Sequence, residues 1–168
     1  MSGDSQHSFI ILTGPRAAGK TNLCLQLFAL AAQKGIETRG LISKPVYAGG
    51  KKVAIELIDL STRERRRLAE FRQKDDRESL TPGWQFDPQA LQWGDSILAR
   101  VEQTQLLIID ELGPLEFFSH EGWQAAFPLI ANRAYRCAVV VIRPSLLSLA
   151  KERWPWAEIR DVGQWETV

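Results

Sequence analysis

Gly14-Pro15-Arg16-Ala17-Ala18-Gly19-Lys20-Thr21 fits the pattern G-x-x-x-x-G-K-[ST], and what flanks it decides how it is read. Before it runs the strand-like stretch Phe9-Ile10-Ile11-Leu12-Thr13, and after it Asn22-Leu23-Cys24-Leu25-Gln26-Leu27 opens a helix. Strand, glycine-rich loop and helix in that order make a phosphate-binding loop, whose backbone N–H groups converge on a nucleotide at the positive end of the helix dipole. Gly14, Pro15, Arg16, Ala17, Ala18, Gly19, Lys20, Thr21 and Asn22 are therefore the candidate nucleotide-binding residues. Lys20 brings a full charge between the β- and γ-phosphates, and the Thr21 hydroxyl suits Mg²⁺. Arg16 either reaches phosphate or points into solvent.

The loop needs a carboxylate opposite it. Gln105-Leu106-Leu107-Ile108-Ile109-Asp110-Glu111 is an unbroken apolar run ending in two acids, the pattern of a buried parallel strand. At the carboxyl edge of such a strand Asp110 can reach the Mg²⁺ shell, while Glu111 can accept a proton from the water that attacks the γ-phosphate. A second buried strand, Cys137-Ala138-Val139-Val140-Val141-Ile142, ends at Arg143-Pro144 and is expected between the phosphate-loop strand and the Asp110 strand. Arg143 then either offsets charge developing on the γ-phosphate or is an exposed strand-end arginine. The candidate catalytic residues are Lys20, Glu111 and Arg143, and the candidate metal ligands Thr21 and Asp110.

Ile108-Ile109-Asp110-Glu111-Leu112-Gly113-Pro114-Leu115-Glu116 resembles the D-E-[IL]-G-P-[ML]-E signature of the small THEP-type nucleoside-triphosphatases, also called cancer-related nucleoside-triphosphatases. Gly40-Leu41-Ile42-Ser43 is similar to that family's G-F-Y-T strand, and Arg67-Leu68-Ala69 falls where its L-A-R segment comes. The resemblance implies a P-loop NTPase fold, a three-layer α/β/α sandwich with a mostly parallel, mixed sheet that includes a β-hairpin. It also implies Mg²⁺-dependent hydrolysis of ATP, GTP and other nucleoside triphosphates to the diphosphate and phosphate. In the family loop G-x-P-G-x-G-K-T-T, this chain puts Arg16, Ala17 and Asn22 for the proline, second glycine and second threonine. Ala17 is strained if the site demands a glycine-only backbone angle. Lys44 stands where the family strand commonly carries an acid. Two other readings share the loop: a nucleotide or small-molecule kinase, and a nucleotide-dependent assembly or maturation factor with slow hydrolysis.

Elsewhere, two β-rich runs, residues 40–47 and 52–60, flank Ala48-Gly49-Gly50-Lys51 and predict a hairpin. Residues 61–77 are crowded with charge, from Arg63-Glu64-Arg65-Arg66-Arg67 to Lys74-Asp75-Asp76-Arg77, and read as a solvated loop or helix face. Thr81-Pro82-Gly83-Trp84-Gln85-Phe86 reads as a turn, with Trp84 or Phe86 available to stack on a base. Asp87-Pro88 reads as an N-cap and first helical residue. Helices are expected over 122–135 and 146–153, and a short strand over 158–162. Glu116 either faces the site or caps the next segment.

The 168 residues, 45% hydrophobic, suit one domain over 1–168, and a net charge of +1 gives no support for nucleic-acid or membrane-surface binding. Cys24 and Cys137 lack metal-ligand spacing and read as buried free thiols, which with the polar N-terminus points to the cytoplasm. His7 and His120 suggest no metal beyond Mg²⁺. Any protein partner is unspecified, with Arg63, Arg65, Arg66, Arg67 and exposed tryptophans as the candidate surface. No N-K-x-D sequence marks a guanine-specific switch.

Overall fold

The computed structural model describes residues 6–72 and 81–165. Its centre is an eight-stranded sheet in the order β5-β4-β3-β2-β6-β7-β1-β8. Five strands run parallel: β2 (Thr38–Ala48), β6 (Thr104–Asp110), β7 (Tyr135–Val141), β1 (Ser8–Thr13) and β8 (Glu158–Asp161). β3 (Lys51–Asp59), β4 (Arg65–Phe71) and β5 (Trp84–Phe86) extend it antiparallel beyond β2, so the sheet is mixed and carries the expected hairpin.

Side-chain alternation sends the two faces into two cores. Ile10, Leu12, Ile42, Ile58, Ile108, Val139 and Val141 meet α1 (Lys20–Gln33) through Leu23 and Cys24. Phe9, Ile11, Leu41, Leu57, Leu107, Ile109 and Val140 meet α2 (Pro88–Ala99), α4 (Ala126–Ala131) and α5 (Leu147–Arg153) on the other face. β6 and β7 are covered on both sides, which is why their sequences are apolar without alternation. Gly40 is where β2 closes on β6: a Cβ there would stand 1.9 Å from the Ile108 carbonyl oxygen, so the strand requires glycine at this point.

Three elements differ from the sequence expectation. Residues 65–71 are not a loop or helix face but β4, whose Arg65, Arg66 and Arg67 are exposed while Leu68 and Ala69 are both buried. A bulge between the Ile55–Ala69 and Glu56–Arg67 pairs turns two consecutive residues inward, which hides the period-two signal. The helix expected over 122–135 shrinks to α4, because Gly122 and Arg133 take positive φ and Tyr135 already begins β7. The aromatic turn at 84–86 is the edge strand β5. Lys74 to Arg77 lie outside the described residues. As expected, the Asp87 carboxylate accepts from the Gln89 N–H at 2.9 Å with Pro88 opening α2. Cys24 is buried and Cys137 only partly so. Among the described residues no helix is long and apolar enough to cross a membrane.

Candidate active site

Strand register builds the site. Leu12 of β1 and Asp110 of β6 both pair with Val141 of β7, so the phosphate loop, the acidic strand end and the β7 terminus leave the sheet at one level. Ligand crevices in parallel sheets form at such carboxyl edges. Residues 14–19 turn from β1 into α1, with Gly19 as N-cap. Lys20 folds back over the loop and donates from Nζ to the Gly14 and Pro15 carbonyls at 2.7 and 2.8 Å. Ala17 has φ 58°, so the family glycine is replaced at a position that does take the left-handed conformation, a cost of about 1 kcal/mol for a side chain with a Cβ. Val162, in the 3-10 turn after β8, packs against Gly14 from the other side.

Asp110 is buried, with 3% of its surface exposed. Its carboxylate accepts from the Ser43 N–H of β2 at 3.3 Å and lies within reach of the Thr21 hydroxyl at the start of α1. Burial pushes its pKa from the ordinary 3.8 up to about 7; the Thr21 hydrogen bond opposes that, the Glu111 charge adds to it, and Ser43 and Lys52 pull it down. A carboxylate this far from its usual range is poised to take a cation or a proton. Thr21 and Asp110 are hard oxygen donors facing each other, a pair that fits Mg²⁺. Among the described residues no three His, Cys, Asp or Glu side chains gather as a metal site, so the other ligands of such an ion would be phosphate oxygens and water.

Glu111 turns the opposite way from Asp110. Its Oε1 accepts from Nε of Arg143 at 2.8 Å and lies 2.7 Å from Nη2 as an ion pair, and both side chains remain partly open to solvent. Two of the three candidate catalytic residues thus meet each other, a contact the sequence reading did not anticipate. Gly113 lies against both: a Cβ on it would be 3.7 Å from Arg143 Nη2 and 3.8 Å from Glu111 Oε1. Glu116 resolves as a cap. Its carboxylate accepts from the Gly113 N–H at 2.8 Å and the Trp123 N–H at 3.2 Å, tying the start of α3 (Pro114–Phe118) to the turn before α4. Burial raises its pKa, and hydrogen bonds from Gly113 and Trp123 counter this. The D-E-L-G-P-L-E segment therefore has a physical reading: one buried acid, one paired acid, one capping acid.

Two groups at the site carried no clear sequence signal. Ser43 contributes only its backbone, and Lys52 stands on the hairpin within electrostatic reach of Arg16, Glu111 and Asp110. The Gly-Gly turn before Lys52 was legible, but not that its charge couples to the site. Of the aromatics offered for base stacking, Phe86 packs on the core, and Trp84 lies under the Lys52 ammonium, 4.9 Å from its ring centre.

A glycine-rich loop at the carboxyl edge of a parallel sheet, facing a buried aspartate, defines the P-loop nucleoside-triphosphatase class. Residues 9–153 match the family described as NTPase, and the chain belongs to that family. It is 28% identical over 149 residues to nucleoside-triphosphatase THEP1 of Methanopyrus kandleri, an alignment covering 86% of this chain and 81% of the relative. Two solved structures share the fold. The solution structure of a human cancer-related nucleoside triphosphatase superposes with a TM-score of 0.68 at 18% identity, over 95% of this chain and 89% of that one. The crystal structure of THEP1 from Aquifex aeolicus gives 0.67 at 18% identity, over 92% of this chain and 89% of that one.

Proposed function

We propose that the chain acts as one P-loop domain that hydrolyses nucleoside triphosphates, ATP and GTP among them, to the diphosphate and phosphate in a Mg²⁺-dependent reaction. The observation that carries this reading is the buried Asp110 carboxylate at the carboxyl edge of β6, level with the phosphate loop and within reach of Thr21 at the start of α1. Loop N–H groups of residue 14 and residues 16 to 22 cradle the phosphates, and Lys20 exchanges the Gly14 and Pro15 carbonyls for β- and γ-phosphate oxygens. Thr21 and Asp110 would hold Mg²⁺, which when bound would supply positive charge to offset that developing on the phosphates. Glu111 accepts the proton of the attacking water. Arg143 orients Glu111 in the free protein and keeps N–H groups to spare for a γ-phosphate oxygen. Free thiols at Cys24 and Cys137 agree with a cytoplasmic setting.

The test is phosphate release from a panel of nucleoside triphosphates with and without Mg²⁺, in wild type and Glu111→Gln. Glu111→Gln should bind nucleotide normally and release phosphate about 10²-fold more slowly. Wild-type turnover in Glu111→Gln removes it as the base. Transfer to an added acceptor exceeding release to water makes the chain a kinase.

A further inference from the structure

We propose that the far end of the antiparallel extension, β2 to β5, binds single-stranded nucleic acid. The rings of Tyr47, Phe71 and Trp84 stack on bases, and Lys51 and Lys52 meet phosphates. A net charge of +1 for the whole chain conceals how its charges are distributed. Residues 44–72 hold eight Lys and Arg against four Asp and Glu, so this ribbon is basic and the remainder of the chain is acidic. Of those four acids Asp59 is buried, with its carboxylate taken up by Ser61.

Exposed aromatics gather at the same end. Side chains directly opposed across an antiparallel pair share a face. Tyr47 of β2 opposes Lys52 of β3 because a bulge after Val46 leaves Val53 as an extra residue; in an unbroken ladder Lys52 would oppose Ala48. Phe71 of β4 opposes Trp84 of β5, with ring centres 5.4 Å apart. The Lys52 ammonium stands 4.9 Å from the Trp84 ring centre, which ties the two pairs to one face. Tyr47, Lys52, Phe71 and Trp84 therefore make a row across four strands, roughly 14 Å at the usual strand spacing. Glu56 lies between the core-facing Ile55 and Leu57, and Glu70 precedes Phe71, so alternation sends both carboxylates to the opposite face. Nothing among the described residues covers the row: Tyr47 is 62% exposed, Phe71 49% and the neighbouring Val53 37%. Phe71 is seated against Gly83, where a Cβ would stand 2.4 Å from the ring, so the outward ring is built into the sheet edge.

A ligand for this row must offer flat π faces to the rings and negative charge to the ammonium groups beside them. A single nucleic-acid strand offers both, and a row of this length seats two or three splayed bases. A duplex hides its base faces, an acidic peptide lacks them, and a second copy of this chain would bring the same cations against these. Tyr47, Phe71 and Trp84 take no part in the phosphate site, so strand binding is separable from hydrolysis.

The test is fluorescence anisotropy of labelled oligouridylate and oligothymidylate of about 12 nucleotides, titrated at several salt concentrations. It compares wild type with Tyr47→Ala, Phe71→Ala, Phe71→Tyr, a Lys51→Gln and Lys52→Gln double variant, and Trp156→Ala, an exposed aromatic just before β8 at the other edge of the sheet. Each is checked for an unchanged melting temperature, and Tyr47→Ala decides alone if Phe71→Ala melts early. Tyr47→Ala and Phe71→Ala should each weaken strand binding about tenfold, while Phe71→Tyr and Trp156→Ala match wild type. Loss of both lysines should flatten the dependence of log affinity on log salt by about 1.4, at about 0.7 per phosphate contact. The proposal is overturned if wild type leaves both oligonucleotides unbound, if the alanine variants bind them as wild type does, or if a duplex of equal length binds as tightly. Self-association or polyglutamate binding that Tyr47→Ala abolishes, with no strand bound, would overturn it in favour of a protein interface.

Discussion

Asp110→Asn should make the metal-free protein more stable at alkaline pH while removing its response to Mg²⁺. Burial raises the folded-state pKa of Asp110 from 3.8 to about 7. Below pH 4 both folded and unfolded chains hold the proton. Between pH 4 and 7 the unfolded chain releases it and the folded one does not, so stability falls with rising pH and levels off once the folded group also ionises. A shift of this size corresponds to about 4 kcal/mol at 1.36 kcal/mol per unit. Asparagine keeps an acceptor for the Ser43 N–H and gives Thr21 a donor, so the shape is retained and the charge is gone. Thermal melts of wild type and variant without metal should coincide only below about pH 4, where folded and unfolded chains both hold the proton. They should part by roughly 10 °C at pH 8, with the variant higher, at 2–4 °C per kcal/mol for a chain of this length. Mg²⁺ with nucleotide should then raise the wild-type midpoint and leave the variant's nearly still. A variant melting at or below wild type at pH 8 would refute the claim that Asp110 is a buried charge awaiting a cation.

Arg143→Ala should slow phosphate release at least tenfold with nucleotide affinity nearly unchanged, because Glu111 loses the hydrogen bond and ion pair that orient it. Its melting temperature should move little, since a partly exposed ion pair contributes about 1 kcal/mol or less. Gly122→Ala should be far more damaging to the fold. Gly122 has φ 67°, and an added Cβ would stand 2.3 Å from Glu116 Oε1, displacing the carboxylate that caps Gly113 and Trp123. Backbone strain plus the lost buried acceptor amount to about 2–4 kcal/mol, visible as a shift in denaturant midpoint.

Much of the fold was legible because the signals are local. The run 105–111 shows no alternation, which only burial on both faces produces, and Asp87-Pro88 caps a helix through its own side chain and fixed φ. β4 was not legible. Three exposed arginines and two consecutive buried residues defeat any period, since bulges depend on the neighbouring strand and not on the segment itself. The helix expected over 122–135 was too long for a similar reason, as the Glu116 carboxylate organises the turn at 122–123 by accepting from the Trp123 N–H seven residues away.

The sequence by itself determined the phosphate loop, the acidic strand end opposite it, the hairpin and the family signature, because each is a short pattern whose chemistry is carried by adjacent residues. Only the tertiary structure decided how those pieces meet. It paired Glu111 with Arg143, made Glu116 a cap, and buried Asp110 beside Thr21. The physical reason is separation along the chain. Asp110 and Thr21 are far apart in sequence, and the energy that shifts a buried carboxylate to about 7 comes from strands and helices that no single window of residues contains.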